Sequence, residues 1–129
     1  MKLLLLIGVA SAKIGVDVSS SVSESDFECL QEPGGEGSIE YVLVRIYQST
    51  GTIDRNGANT MKAATSAGIK TVDAYMFPCV SCGDAAGQVN SAFSALSGVS
   101  YNKLWLDIEK YNWSSDTSTN QAFIEDMLS

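Results

Sequence analysis

No histidine occurs anywhere in this 129-residue chain. That absence removes the commonest general base and the commonest zinc ligand, and with them Ser-His-Asp and Cys-His catalysis. Any chemistry must run on carboxylates, hydroxyls or thiols. Positive charge is also scarce: eight Lys and Arg face fifteen Asp and Glu, for a net charge of −7. Such a balance argues against nucleic acid and against attachment to anionic membranes. No apolar run approaches the roughly 20 residues that a membrane span needs. The phosphate-binding glycine patterns are missing too, both G-x-G-x-x-G and G-x-x-x-x-G-K-[ST].

What is present begins with "MKLLLLIGVASA", one cation, an aliphatic run and a small-x-small ending at Ala10 and Ala12. Residues 1–12 read as a secretory signal peptide cleaved after Ala12. The mature chain, residues 13–129, is then expected to be secreted, or to lie in a phagosomal or lysosomal lumen. It has the length of a single domain, with no low-complexity tract and no linker.

Strand-like and helix-like segments alternate along it. "AKIGVDVS", "IEYVLVRIY", "IKTVDAYMF" and "KLWLDIE" read as strands. "SESDFECL" opens with a capping-box pattern at Ser23 and Asp26. "NGANTMKAATSAG" and "DAAGQVNSAFSALSG" read as helices stopping at Gly68 and Gly98, and "SDTSTNQAFIEDML" as a fourth helix. "PGGEG", residues 33–37, is a loop. Each unit takes about 30 residues, the spacing of a (β/α)₈ barrel, whose eight units use about 250. The expected fold class is therefore α/β: a partial TIM-like (β/α) barrel of about four βα units with a parallel sheet. A small open doubly wound sheet is the alternative.

Side chains alternate faces along a strand. In the fourth strand Leu104, Leu106 and Ile108 form an aliphatic face, while Trp105, Asp107 and Glu109 point the other way. Asp17 sits opposite Ile14, Val16 and Val18 in the first strand. Asp73, Tyr75 and Phe77 share the inner face of the third. Asp17, Asp107 and Glu109 thus converge on the carboxyl rim, where such sheets place active sites. Asp73 reads first as a structural partner of Arg45 and second as a cleft residue. Tyr75, Phe77 and Trp105 read equally as core and as sugar-stacking aromatics. Clustered acids beside aromatics, without histidine, suit glycoside hydrolysis. Asp107 and Glu109 lie about 6.6 Å apart by backbone rise, between retaining and inverting separations. A Mg²⁺ or Ca²⁺ site is the rival use of three acids.

"GVDVSSSVS", "VRIYQSTGTIDRN", "AGIKTVDAYMFPCVSCGDAAGQV" and "LWLDIEKYNW" together resemble the glycoside hydrolase family 25 lysozymes, secreted amoeba and nematode forms above all. The resemblance spans residues 13–129. It implies an irregular (β/α)₅(β)₃ barrel, of which this chain carries the N-terminal part of the catalytic domain. It also implies an N-acetylmuramidase that cuts β-1,4 bonds between N-acetylmuramic acid and N-acetylglucosamine in bacterial peptidoglycan, with no cofactor and no resident metal. By the same resemblance Glu109 is the proton donor and Asp107 stabilises the transition state or assists the acetamido group. Asp17 orients the site, and Tyr75 lines the sugar cleft. Arg45 stands where the family often has another base. The family's last strand carries a further aspartate, which falls beyond Ser129. With four units present, the first and fourth strands have open edges and invite self-association.

Cys29, Cys79 and Cys82 make an odd set. A structural disulfide is expected, joining Cys29 to Cys79 or Cys82, or to a cysteine elsewhere. "CVSC" between strand and helix also allows a thiol–disulfide oxidoreductase. A catalytically impaired paralogue that binds peptidoglycan is the remaining alternative.

Overall fold

A computed structural model describes residues 13–31, 39–110 and 113–129. The expected signal peptide at residues 1–12 and the expected loop at 33–37 lie outside them. Among the described residues the chain alternates as its pattern predicts. β1 (Gly15–Val18) leads to α1 (Glu24–Gln31), and β2 (Tyr41–Gln48) runs through a short β3 (Thr52–Ile53) to α2 (Gly57–Ser66). β4 (Thr71–Met76) leads to α3 (Ala85–Ala95), and β5 (Leu104–Leu106) to α4 (Thr117–Leu128). β1, β2, β4 and β5 lie side by side in that order, every pair parallel. This is an α/β fold of four βα units, the partial TIM-like barrel the sequence predicts.

Local chemistry sets the helix ends. Ser23 Oγ accepts the Asp26 N–H at 3.3 Å, and Asp26 Oδ2 accepts the Ser23 N–H at 3.0 Å, closing the predicted capping box before α1. Past α2 and α3 the backbone turns left-handed at Gly68 (φ 83°) and Gly98 (φ 72°), a conformation glycine adopts without a Cβ penalty. Asp84 caps α3 by accepting the Gly87 N–H at 3.2 Å.

The helices cover one face of the sheet. Val42, Val44 and Ile46 of β2, with Ala74 and Met76 of β4, pack against Phe27, Met61, Ala64, Ala92 and Leu96, all nearly free of solvent. Burial of each large side chain contributes about 1.5–3 kcal/mol. α2 starts so close to β2 that a Cβ on Gly57 would collide with the Arg45 carbonyl.

Two details depart from expectation. β3 was not predicted: Gly51 (φ 82°) turns the chain back, and Thr52 and Ile53 pair antiparallel with Gln48 and Tyr47. β5 is shorter than residues 103–109, although Asp107 N still donates to Met76 O at 2.9 Å. Past that bond the chain leaves the ladder. Ile108, expected on the helical side, is consequently 46% exposed.

Candidate active site

The uncovered face of the sheet carries the polar residues. Parallel pairing sets Asp17 level with Leu43 and Asp73, and Arg45 level with Tyr75 and Trp105. Alternation puts both rows on the same face. Asp107 lies two residues beyond Trp105, so the acids gather toward the carboxyl end of the strands. The Tyr75 side chain, buried in the central strand, lies within electrostatic reach of the Asp17 carboxylate.

Electrostatics report how close these groups are. Burial first, then the Asp17 charge and the more distant Asp107, push the Tyr75 phenol up to about 12, with Arg45 opposing. Burial, then repulsion from Glu109 and from Asp17, raises the Asp107 carboxyl above its ordinary value. Asp17, Tyr75, Asp107 and Glu109 therefore form one interacting cluster drawn from β1, β4 and the end of β5. Among the described residues, no three acid or thiol side chains approach closely enough to hold a metal ion. Glu109 also opens onto a slot of about 350 Å³, shared with Ile108, Lys110, Trp113 and Ile124. Trp113, whose ring meets Phe123 edge-on at 5.8 Å, went unnoticed in the sequence because no strand or helix period includes it.

The other expected cleft residues divide. Asp73 accepts the Trp105 indole N–H at 2.8 Å and the Lys103 backbone N–H at 3.1 Å. It therefore does not pair with Arg45, as its sequence position suggested. Arg45 instead donates through Nε (3.0 Å) and its terminal nitrogen (2.9 Å) to Asp54, because the β3 hairpin folds Asp54 back over β2. Trp105 is 47% exposed, with the Lys103 ammonium 5.2 Å from its ring centre. Trp105, Asp73, Tyr41, Leu43 and two lysines line a hollow of about 470 Å³ on the same face. Phe77 is half-buried, and its N–H donates to Tyr47 O at 3.0 Å, beyond the last β4 rung.

The cysteine expectation is corrected. Cys79 bonds Cys82, and Cys29 is free and exposed on α1. A tight turn at Val80–Cys82 brings the two α-carbons to 5.3 Å, while the helix holds Cys29 elsewhere. Gln88, unnoticed in the sequence, clasps the same loop. It accepts the Cys79 N–H at 2.8 Å and donates to the carbonyls of Cys79 (2.9 Å) and Gly83 (2.6 Å). Cys79, the first cysteine of the motif, is buried at 5% exposure. A redox dithiol needs that sulfur accessible, so this arrangement speaks for a structural clasp.

A parallel, helix-backed sheet with acids toward its carboxyl rim has the layout of a TIM-like fold, which places its sites at that rim. A sequence model of the family described as Lysozyme-like protein 1 matches residues 8–129, and the chain belongs to that family. It is 41% identical over 125 residues to Lysozyme-like protein 5 of Caenorhabditis elegans, a match covering 94% of this chain and 56% of that protein. It is 39% identical over 126 residues to "Probable GH family 25 lysozyme 4" of Dictyostelium discoideum, covering 96% and 57% respectively. The chain thus spans a little over half the length of these relatives. Among solved structures, the catalytic domain of endolysin ply40 from a bacteriophage of Listeria monocytogenes superposes with a TM-score of 0.66 at 21% identity. That match covers 93% of this chain and 59% of that one, and it supports the fold.

Proposed function

We propose that this chain carries the acid side of a muramidase active site, cutting the β-1,4 bond between N-acetylmuramic acid and N-acetylglucosamine in bacterial peptidoglycan. The observation that carries the reading is the placing of Asp17 and Asp107 on one face of the parallel sheet, toward its carboxyl end, with Glu109 near enough to act on Asp107. Burial, then the neighbouring Glu109 and Asp17 charges, lets the Asp107 carboxyl keep its proton to higher pH than an isolated one. Glycosidic cleavage needs such a proton for the leaving oxygen, and a neighbouring carboxylate for the oxocarbenium-like transition state.

Glu109, at the open end of the strand, donates the proton. Asp107, near both Glu109 and Asp17, supplies the negative charge or holds the acetamido group as it attacks. Asp17 lies within electrostatic reach of Tyr75 and keeps Asp107 in register. Trp105, Phe77 and Tyr75 offer the aromatic surfaces a sugar packs on, with Asp73 holding the Trp105 ring. Secretion after removal of residues 1–12, or delivery to a phagosomal or lysosomal lumen, gives access to cell-wall substrate. Peptidoglycan catabolism and antibacterial defence are the roles this implies.

The test is Glu109→Gln in the intact protein, assayed on purified peptidoglycan by release of muramic acid reducing ends. Activity should fall by about 10²–10⁴-fold, the usual contribution of a general acid, with the fold retained by circular dichroism. A folded variant with unchanged activity would overturn the assignment. Activity should also decline as pH rises and the cluster loses its proton. The donor is the residue whose amide variant removes that limb of the profile.

A further inference from the structure

Parallel pairing between β1 and β2 ends at Val18 and Val44. The next rung would join Ser19 to Arg45, but the β1–β2 pairing stops one residue short of it. A side chain supplies the missing bond: the Arg45 terminal nitrogen donates to the Ser19 carbonyl at 2.8 Å. The same nitrogen, with Nε, is held at 2.9 and 3.0 Å by Asp54, which is 5% exposed and also accepts the Asn56 N–H at 3.1 Å. The guanidinium is thus locked by a buried carboxylate before it reaches β1.

What it holds is the end of the strand that carries Asp17, two residues back. β1 pairs on one side only among the described residues, so nothing else in the sheet restrains that end. Arg45 is level with Tyr75, and Asp17 lies one step back on the same face, level with Leu43 and Asp73; the Asp17 charge acts on the Tyr75 phenol. We infer that Arg45 is a positioning residue: braced by Asp54, it pins the end of β1 so that Asp17 stays within reach of the Tyr75 hydroxyl. The role rests on the muramidase reading for its catalytic consequence and on geometry alone for the pinning. A lysine keeps the charge but has no planar fork, and cannot bind Asp54 side-on while reaching Ser19.

Two readouts on the intact protein test this. The first is the proton NMR signal of the Tyr75 hydroxyl, identified by its loss in Tyr75→Phe. It should be sharp in the wild type and broadened or absent in Arg45→Lys, with core methyl resonances unmoved. The second is kinetics on peptidoglycan, where Arg45→Lys should lower kcat by about 10- to 100-fold, the cost of a small misplacement, and leave KM within about twofold. Asp54→Asn, which keeps the Arg45–Ser19 bond and loosens its brace, should show the same pattern more weakly. If Arg45→Lys keeps both the hydroxyl signal and kcat, or if its losses merely track the folded fraction, the inference fails and the muramidase reading stands. If the wild type never cleaves peptidoglycan but Arg45→Lys loses the signal, the reading fails and the pinning stands.

Discussion

Arg45 and Ile46 are neighbours in the chain and belong to different worlds. Ile46 points under the helices and is fully buried, while Arg45 points to the open face and is bound by polar groups throughout. The whole sheet divides in this way. Its covered face is aliphatic and neutral, and every contact there favours folding. On its open face Asp107 meets the charges of Glu109 and Asp17, which with burial raise its carboxyl above the ordinary value. On the proposed function the open face gives up stability for chemistry, whereas the covered face supplies the stability of the fold.

The contrast yields a graded set of outcomes. Glu109→Gln should give the largest effect, the 10²–10⁴-fold loss of turnover described above, with no fall in thermal midpoint. Ile46→Ala should do the reverse, costing about 2–5 kcal/mol in chemical denaturation while turnover per folded molecule stays unchanged. An Ile46 variant with normal stability would blur the division between the faces. Gln88→Ala should cost about 1–3 kcal/mol, because the buried Cys79 N–H is left without an acceptor. Replacing Cys79 and Cys82 together by serine should cost no more than about 2 kcal/mol, since so short a loop gives up little chain entropy.

The smallest effect sharpens the comparison most. Asp107 has its carboxyl raised in the folded state, so the folded protein binds its proton more tightly than the unfolded chain. Its contribution to stability is therefore fullest below the unfolded value of about 3.9 and is lost as pH rises through the higher folded value. Asp107→Asn should flatten that slope and raise the thermal midpoint at neutral pH, while turnover collapses. A pH series of melting curves on both proteins would show it. A midpoint that falls in Asp107→Asn would mean the carboxylate is stabilised by its surroundings.

Much of this was legible in the sequence, and for physical reasons. Alternating aliphatics mark which face of each strand is covered, and so which way Asp17, Tyr75 and Asp107 point. Ser23 with Asp26, Gly68 and Gly98 mark helix ends because capping and left-handed turns need those residue types. What escaped was tertiary. A two-residue β3 with both side chains exposed has no period to detect, though the turn at Gly51 between polar and β-branched residues could have signalled a hairpin. Without that hairpin Asp54 looked remote from Arg45, and Asp73 took its place as the expected partner. The cysteines failed for the opposite reason: a distant partner was expected where a local turn sufficed. Gln88 could not be seen at all, since a glutamine on a helix is ordinary until a loop folds beneath it.

That loop carries a consequence of its own. Its shape is set twice, once by a covalent bond that a reducing milieu can open and once by an amide that no redox agent touches. A loop secured in both ways does not depend on the disulfide alone for its form. Loss of either restraint leaves the other to hold the turn that follows β4.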